Sequence, residues 1–338
     1  MRSAKPLASL SLDVDNLWAY LKTHGCPGWE RRPSYLRDFF PPVLDALDQL
    51  GLRITFFIVG ADADREENAD VLRAVTRRGH EVGNHSFHHE PWQYLSCQER
   101  LEEEISRAEA AIHLATGQSP VGFRGPSYSW SPDLLRLLSD RGYLYDASTL
   151  PTYLGPLARA YASSISSVSE EEMAERGTLF GTFRDGLRPL KPYRWRLDGE
   201  RTLLEMPVTT FPVVKTPFHL SYLLYLSRFS EHLALGYLRS AIAACRVTGV
   251  EPSFLLHPLD FMGGDEVPQL AFFPGMDLPT RRKREFSIRV LRVLGETFTL
   301  VNMSVHARSF LARGGLSIRE AVAPNGSTRR SRSALQWA

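Results

Sequence analysis

Residues 53–59, RITFFIV, form a run of aromatic and β-branched side chains bracketed by Gly51 and Gly60. A strand with one face in water alternates apolar and polar residues, whereas a strand covered on both faces reads as a continuous apolar run. This stretch is therefore expected to be a buried strand. The flanking sequence agrees. Residues 34–50 place Leu36, Phe40, Val43, Leu44 and Leu47 on one helical face, with Gly51 just past the end. Downstream, Asn68 is positioned to cap a short helix through Val71, Leu72 and Val75 that closes at Gly79. HEVGN (80–84) then returns to strand.

The same alternation extends both ways. LASLSL (7–12) reads as a buried strand. Ser96 and Glu99 have capping-box spacing ahead of a helix carrying Leu101, Ile105, Ala108 and Ile112 and stopping at Gly117. PVGFR (120–124) is a strand, 132–141 a helix and YLYDAS (143–148) a strand. Repeated strand–helix units imply a parallel sheet, either a barrel or doubly wound. In the middle of the chain GTLFGTF (177–183) and RTLLEMPV (201–208) read as strands, and 217–248 as mostly helical. PSFLLHP (252–258) is another buried strand, followed by a helix at about 279–294, a strand FTLVNM (298–303) and a short helix after Ser304. With no internal repeat and no Pro/Gly-rich linker, one domain over residues 1–315 is expected. Residues 316–338 are expected to be a basic, disordered tail.

Composition narrows the function classes. The 338 residues are 43% hydrophobic and 23% charged, ordinary values for a globular chain. With 40 basic and 38 acidic residues the net charge is +2, which gives no electrostatic case for nucleic acid. Cys26, Cys97 and Cys245 are few and far apart, so neither a disulfide framework nor a thiolate metal site is suggested. The N-terminal stretch has no apolar segment of signal-peptide length, and no run of about eighteen apolar residues exists to span a bilayer. These features together favour a cytoplasmic setting.

Ionisable residues gather where strands end. Asp13 and Asp15 follow the first strand, His85 and His89 the third, Arg124 the fourth and His257 the strand near 254. In parallel α/β folds the C-terminal strand edge is where active sites form. Asp13 and Asp15, two apart on an ideal strand, share a face, and two close carboxylates repel unless a cation or proton sits between them. Alternatively, they are turn-forming or capping aspartates. His85 and His89 in NHSFHH (84–89) are spaced i and i+4, which on a helical turn brings both rings to one side. Two neutral imidazoles and one carboxylate would make a three-ligand metal site with room for water. The bland alternative is a pair of surface or core histidines, and His88 points elsewhere. Arg124, in FRGPSYSW (123–130), could pair with a rim carboxylate or be a surface arginine. His257, in LLHP (255–258), could be a general acid or a half-buried histidine bonded to a carbonyl.

In these motifs the chain resembles the polysaccharide deacetylase family, also called the NodB-homology or carbohydrate esterase family 4 group. SLDVD (11–15), HSFHH (85–89), RGPS (124–127) and LLHP (255–258) match its motifs in order, in the branch with an Asp-x-Asp first motif. The resemblance covers residues 8–150 and 250–305 and is weak from 151 to 250. It implies a distorted (β/α) barrel, usually of seven strands, and hydrolysis of an N-acyl bond, usually N-acetyl on a sugar. By motif match Asp15, His85 and His89 would bind one divalent metal, zinc before cobalt, nickel or manganese. Asp13 would be the base, Arg124 would hold Asp13, and His257 would be the acid. The Ser127 N–H would lie near the oxyanion, with Pro126 and Tyr128 beside it on the substrate side.

The chain also departs from the family pattern. Val14 separates the two aspartates, Ser127 stands where an aromatic residue is common, and no Asp-x-x-Asp-Trp motif is recognisable. Asp146 or Glu205 is left to orient His257. These departures weaken the case for a chitin-like or peptidoglycan polymer as substrate. The implied substrate is an acylated aminosugar, either lipid-linked or nucleotide-linked. The apolar stretch FHLSYLLYLSRFSEHLALGYL (218–238) reads as a core helix or barrel-covering lid, or else as a face meeting a lipid carrier or membrane surface. An allantoinase-like cyclic amide or ureide hydrolase and a non-catalytic sugar-binding relative are the alternatives.

Overall fold

The computed structural model describes residues 5–91, 96–154 and 183–322. Ten strands among them share one sheet: β1 (Leu7–Asp13), β2 (Thr55–Ile58), β3 (Glu81–Asn84), β4 (Gly122–Phe123), β5 (Tyr145–Asp146), β6 (Tyr193–Arg196), β7 (Thr202–Glu205), β8 (Ser253–Leu256), β9 (Thr299–Val301) and β10 (Ile318–Glu320). The helices are α1 (Leu17–Thr23), α2 (Leu36–Gln49), α3 (Gly60–Ala63), α4 (Ala69–Arg77), α5 (Gln98–Thr116) and α6 (Pro132–Asp140). They continue with α7 (Leu220–Ser227), α8 (Glu231–Thr248), α9 (Thr280–Thr297) and α10 (Met303–Arg313).

Seven strands run parallel in the order β7-β5-β4-β3-β2-β1-β8. Antiparallel β6 then β10 continue beyond β7, and β9 pairs with the start of β1. Parallel neighbours need helical crossovers, which is why the sequence alternates as it does. The chain leaving β7 curls the sheet. Met206 and Val208 donate to Asp146 and Thr149 beside β5, and Thr209 N–H donates to Ser253 O of β8 at 3.0 Å. Ser253 N–H in turn donates to Thr209 Oγ1 at 2.8 Å. The two ends of the seven-strand run thus meet within a single α/β domain.

β1 shows how the interior is built. Ala8, Leu10 and Leu12 pack outward into the main apolar cluster with α2 and β2 residues such as Leu36, Phe40 and Phe56. The alternate residues Ser9, Ser11 and Asp13 are also buried but polar, and Ser11 and Asp13 meet Arg124. At the start of α3, a Cβ on Gly60 would lie 2.7 Å from the Ala108 Cα, so glycine permits the close approach of α3 to α5.

Several local expectations are corrected. Asn68 precedes α4 but makes no side-chain cap: it has helical φ/ψ at the end of a 3-10 turn, and its Nδ2 donates to Asp62 O at 2.9 Å. The Ser96–Glu99 capping box does not form. The N-cap is Cys97, without a side-chain cap, although the expected α5 face is buried. The 217–248 segment is two helices, with Ser230 Oγ accepting from Leu233 N–H to restart the chain as α8. β10 lies beyond the boundary expected at residue 315 and pairs with β6. GTLFGTF lies almost wholly outside the described residues, and so does the tail from 323.

Two carboxyls sit at the ends of β5 and β7. Asp146 and Glu205 are both buried, and burial raises the pKa of each. Asp146 Oδ1 accepts from Ser148 Oγ, while the buried Asp146 Oδ2 has no hydrogen-bond partner among the described residues. A proton on Glu205, whose pKa is raised by burial and by the Asp146 charge, would satisfy it. Because this proton is bound more tightly in the folded chain, its stabilisation is complete at low pH and is lost as pH rises through the folded titration. Denaturation midpoints between pH 5 and pH 9 are expected to fall less in Glu205→Gln than in the parent chain. An identical pH dependence would refute the shared proton.

Candidate metal centre and active site

The rim loop after β3 sets the first group of side chains. His85 and His89 do not lie on a helical turn, which corrects the i, i+4 reasoning. Residues 85–90 are irregular, with Ser86 at φ 61° and His89 at φ 53°. Asn84 Oδ1 accepts from Ser86 N–H and Ser86 Oγ accepts from His89 N–H. Glu104 reaches up from α5 and accepts from the Phe87 and His88 amides at 3.1 and 2.9 Å, and a short bond joins it to His88 Nδ1. Burial opposes the Glu104 charge, but these bonds outweigh it and hold its pKa down. His88 is thus the loop's anchor and points away from the other two rings.

His85 and His89 both aim Nε2 at one oxygen, Asp15 Oδ1, at 3.3 and 2.9 Å. Asp15 is fixed from behind by a short hydrogen bond from Tyr35 OH to its carbonyl. Burial would raise its pKa, but attraction to His89 and hydrogen bonds to both rings hold it well below the carboxylate range. His85 Nδ1 lies 2.6 Å from the Arg124 carbonyl, which can only accept, so Nδ1 carries the proton. A neutral His85 therefore turns the lone pair of Nε2 toward a carboxylate oxygen. Two acceptors face each other, and a cation between them resolves the conflict. One ligand atom from each of the three residues lies within 4.8 Å of the others. The donor set fits a divalent metal such as zinc.

Beside it, Arg124 is 0% exposed and Asp13 is 4% exposed. Arg124 Nη1 donates to Asp13 Oδ1 at 2.7 Å and to Ser11 Oγ at 2.9 Å, its Nε donates to Ala147 O, and the guanidinium lies 4.4 Å from the Phe57 ring. The surface-arginine alternative is thereby excluded. The next turn is tight. A Cβ on Gly125 would fall 1.8 Å from the Ser129 carbonyl oxygen, and Ser127 and Tyr128 both have positive φ, 51° and 60°. Tyr128 N–H is used inside the turn, donating to Gly125 O. Ser127 and Tyr128 line the cavity, whereas Pro126 is buried in the turn and is not among its lining residues.

His257 closes the opposite wall. Neither expected partner reaches it: Asp146 bonds Ser148, and Glu205 bonds Thr149 and Trp195. Instead His257 Nδ1 lies 3.0 Å from Ser221 Oγ on α7, and the His257 amide donates to Asp260 Oδ2 at 2.7 Å. His219, 6.1 Å away ring to ring, is kept neutral by burial and by His257, with its pKa pushed down to about 3. Lys283 Nζ ties the floor together through Leu259 O and Met262 O, and burial lowers its pKa to about 8.

One cavity of ≈ 330 Å³ is lined by Asp13, Asp15, His85, His89, Ser127, Tyr128 and His257. The structure thus gathers the sequence-derived candidates at one strand edge, with Arg124 directly beneath. Sequence reasoning missed Glu104, Ser221 and Asp260. Glu104 had a signal, since an acidic residue one before Ile105 and three after Leu101 falls in the apolar stripe of α5. Ser221 had none, buried as it is in a leucine-rich stretch.

Comparison with known proteins follows the same lines. The family model described as polysaccharide deacetylase matches residues 27–145. A chitooligosaccharide deacetylase of Sinorhizobium fredii is 33% identical over 106 residues, 31% of this chain and 47% of that protein. A peptidoglycan deacetylase-like protein of Gibberella zeae is 34% identical over 111 residues, 31% of each chain. The chain therefore matches less than half the length of these curated relatives. A crystal structure from Mycobacterium smegmatis, whose name provisionally places it among the polysaccharide deacetylases, superposes with a TM-score of 0.62 at 19% identity over 96% of both chains. That likeness establishes the shared fold.

Proposed function

We propose that this chain, which belongs to the polysaccharide deacetylase family through residues 27–145, is a metal-dependent hydrolase that removes the N-acetyl group of a lipid-linked aminosugar. The convergence of both imidazole Nε2 atoms on Asp15 Oδ1 carries the metal part of this reading. Asp15, His85 and His89 would hold the ion, which when bound supplies the Lewis acidity that brings a water pKa toward neutrality. Asp13, fixed by Arg124 at the cavity floor, accepts the proton of the attacking water. Ser127, in its strained turn, presents its amide toward the oxygen on which charge develops. His257, on the opposite wall, gives a proton to the departing amine, without which the C–N bond breaks poorly. An intact base and acid favour catalysis over sugar binding alone.

The walls support an apolar aglycone. Leu224, Tyr225, Tyr20 and Phe273 line the cavity. Tyr225 is 37% exposed and its ring is 5.8 Å from that of Phe229, which is 71% exposed, so an apolar path leads from the cavity out along α7. One face of α7 and α8 packs into the core through residues such as Leu220, Leu223, Leu238 and Ile242, and the other face is exposed. No helix among the described residues is long and apolar enough to cross a membrane. Acetate release should be measured from N-acetylglucosamine, its nucleotide diphosphate conjugate and its polyprenyl phosphate conjugate, with chelator and zinc add-back. The lipid conjugate is expected to be turned over fastest and only with metal. Equal rates on all three, or turnover in chelator, would overturn the reading.

A further inference from the structure

A second cavity, of ≈ 430 Å³, lies between the chain entering β5, the β6–β7 pair and one side of α10. None of the residues assigned to the metal centre lines it. Its walls follow from strand register. Arg194 lies opposite Leu204 in the antiparallel β6–β7 pair, and Thr202 is two residues from Leu204, so the three share one sheet face. α10 covers part of that face, where Ala307 packs in one apolar cluster with Leu204 and Leu311 rests against it. Arg308 and Leu311, three residues apart on α10 and so neighbours on its surface, complete the cavity.

The cavity carries two positive charges and no acidic residue. Arg194 is half-buried, and its Nη1 donates to Thr202 Oγ1 at 2.9 Å, a neutral acceptor that uses one of five N–H groups. Among the described residues neither Arg194 nor Arg308 has an ion pair. The other arginines of the same two elements do: Arg196 reaches Glu320 at 3.2 Å, and Arg313 reaches Glu251 at 2.7 Å. On β6 and α10, then, the arginines outside the cavity are matched by acids and the two that line it are not. A charge partly withdrawn from water and left unpaired is costly, and an anion taken up between the two guanidinium groups removes that cost. A guanidinium meets phosphate or carboxylate oxygens two at a time. Beside the arginines, Leu204, Leu311 and the buried Tyr143 offer an apolar wall. We propose that this cavity binds an organic oxyanion, a phosphate monoester or a carboxylate, with its head between Arg194 and Arg308 and its apolar body against Leu204 and Leu311. Its occupant is a ligand of the fold and not the molecule hydrolysed, because the metal-binding side chains line a different cavity.

The site is independent of the deacetylase reading, and so is its test. Phenyl phosphate and benzoate are titrated into the metal-loaded full chain at constant ionic strength while the arginine Nε–H resonances are followed by NMR. The signals of Arg194 and Arg308 are assigned by their loss in Arg194→Gln and Arg308→Gln. At least one probe is expected to bind saturably and to shift both signals, and the tighter of the two identifies the head group. Benzyl alcohol, which has the apolar body without the charge, should shift neither. Arg308→Gln changes an exposed side chain and should leave fold and bound metal intact while weakening the better probe about tenfold or more. Arg194→Gln should weaken it at least as much. No movement of either signal with either probe, shifts that stay linear with probe concentration, or equal affinity in the parent chain and Arg308→Gln would each overturn the site.

Discussion

Asp15→Ala is expected to purify without bound metal and without turnover, whereas Asp13→Ala should retain one metal per chain and lose ~10²–10⁴ in rate. The two residues are only two apart, yet the structure gives them opposite surroundings. Asp15 Oδ1 is the one atom that both imidazole Nε2 groups address. Removing it leaves two neutral rings, too few ligands for tight zinc binding. Asp13 Oδ1 instead bonds a guanidinium, and neither ring of the triad is paired with it. Elemental analysis after dialysis against sub-stoichiometric zinc, combined with acetate release, separates the two roles. Metal retained at parent affinity in Asp15→Ala, or lost in Asp13→Ala, would show that the assignments are wrong.

What the sequence revealed follows from which forces are local. The RITFFIV run and the helix faces beside it depend on burial periodicity, which residues 34–84 carry by themselves, and β2, β3, α2 and α4 appear there. The clustering of Asp13, Asp15, His85, His89, Arg124 and His257 was legible because parallel strands deliver their C-terminal ends to one rim. The local geometry of that rim was not. Spacing suggested a helical turn at 85–89, but a glutamate nineteen residues beyond His85, on α5, pulls the loop into two positive-φ residues. Cap signals at Asn68 and Ser96 failed for a similar reason, since tertiary partners or a one-residue shift in the helix start outcompeted the local bond. The partner of His257 was invisible because it comes from α7, which joins the site only through packing.

Arg124→Ala is expected to be the most destabilising single change at the site, costing about 3–5 kcal/mol because it strands a buried carboxylate. Arg124 has no exposure, and its Nε and Nη1 serve three acceptors, Ser11 Oγ and Asp13 Oδ1 on β1 and Ala147 O just past β5. Arg124→Lys keeps the charge but offers a single ammonium in place of a planar fork, so it should recover part of the stability and little of the turnover. Most of the loss in Arg124→Ala belongs to Asp13, whose charge is then unpaired. Adding Asp13→Asn to Arg124→Ala should therefore regain stability, a non-additivity of roughly 0.5–3 kcal/mol for residues in contact. The same Asp13→Asn change in the parent chain should be destabilising, because it weakens a bond to a guanidinium that is itself fully buried. Urea denaturation of the four metal-free proteins gives the cycle directly. Strict additivity would mean that Asp13 is neutral in the folded chain, and a base that starts protonated could not take up the proton of water.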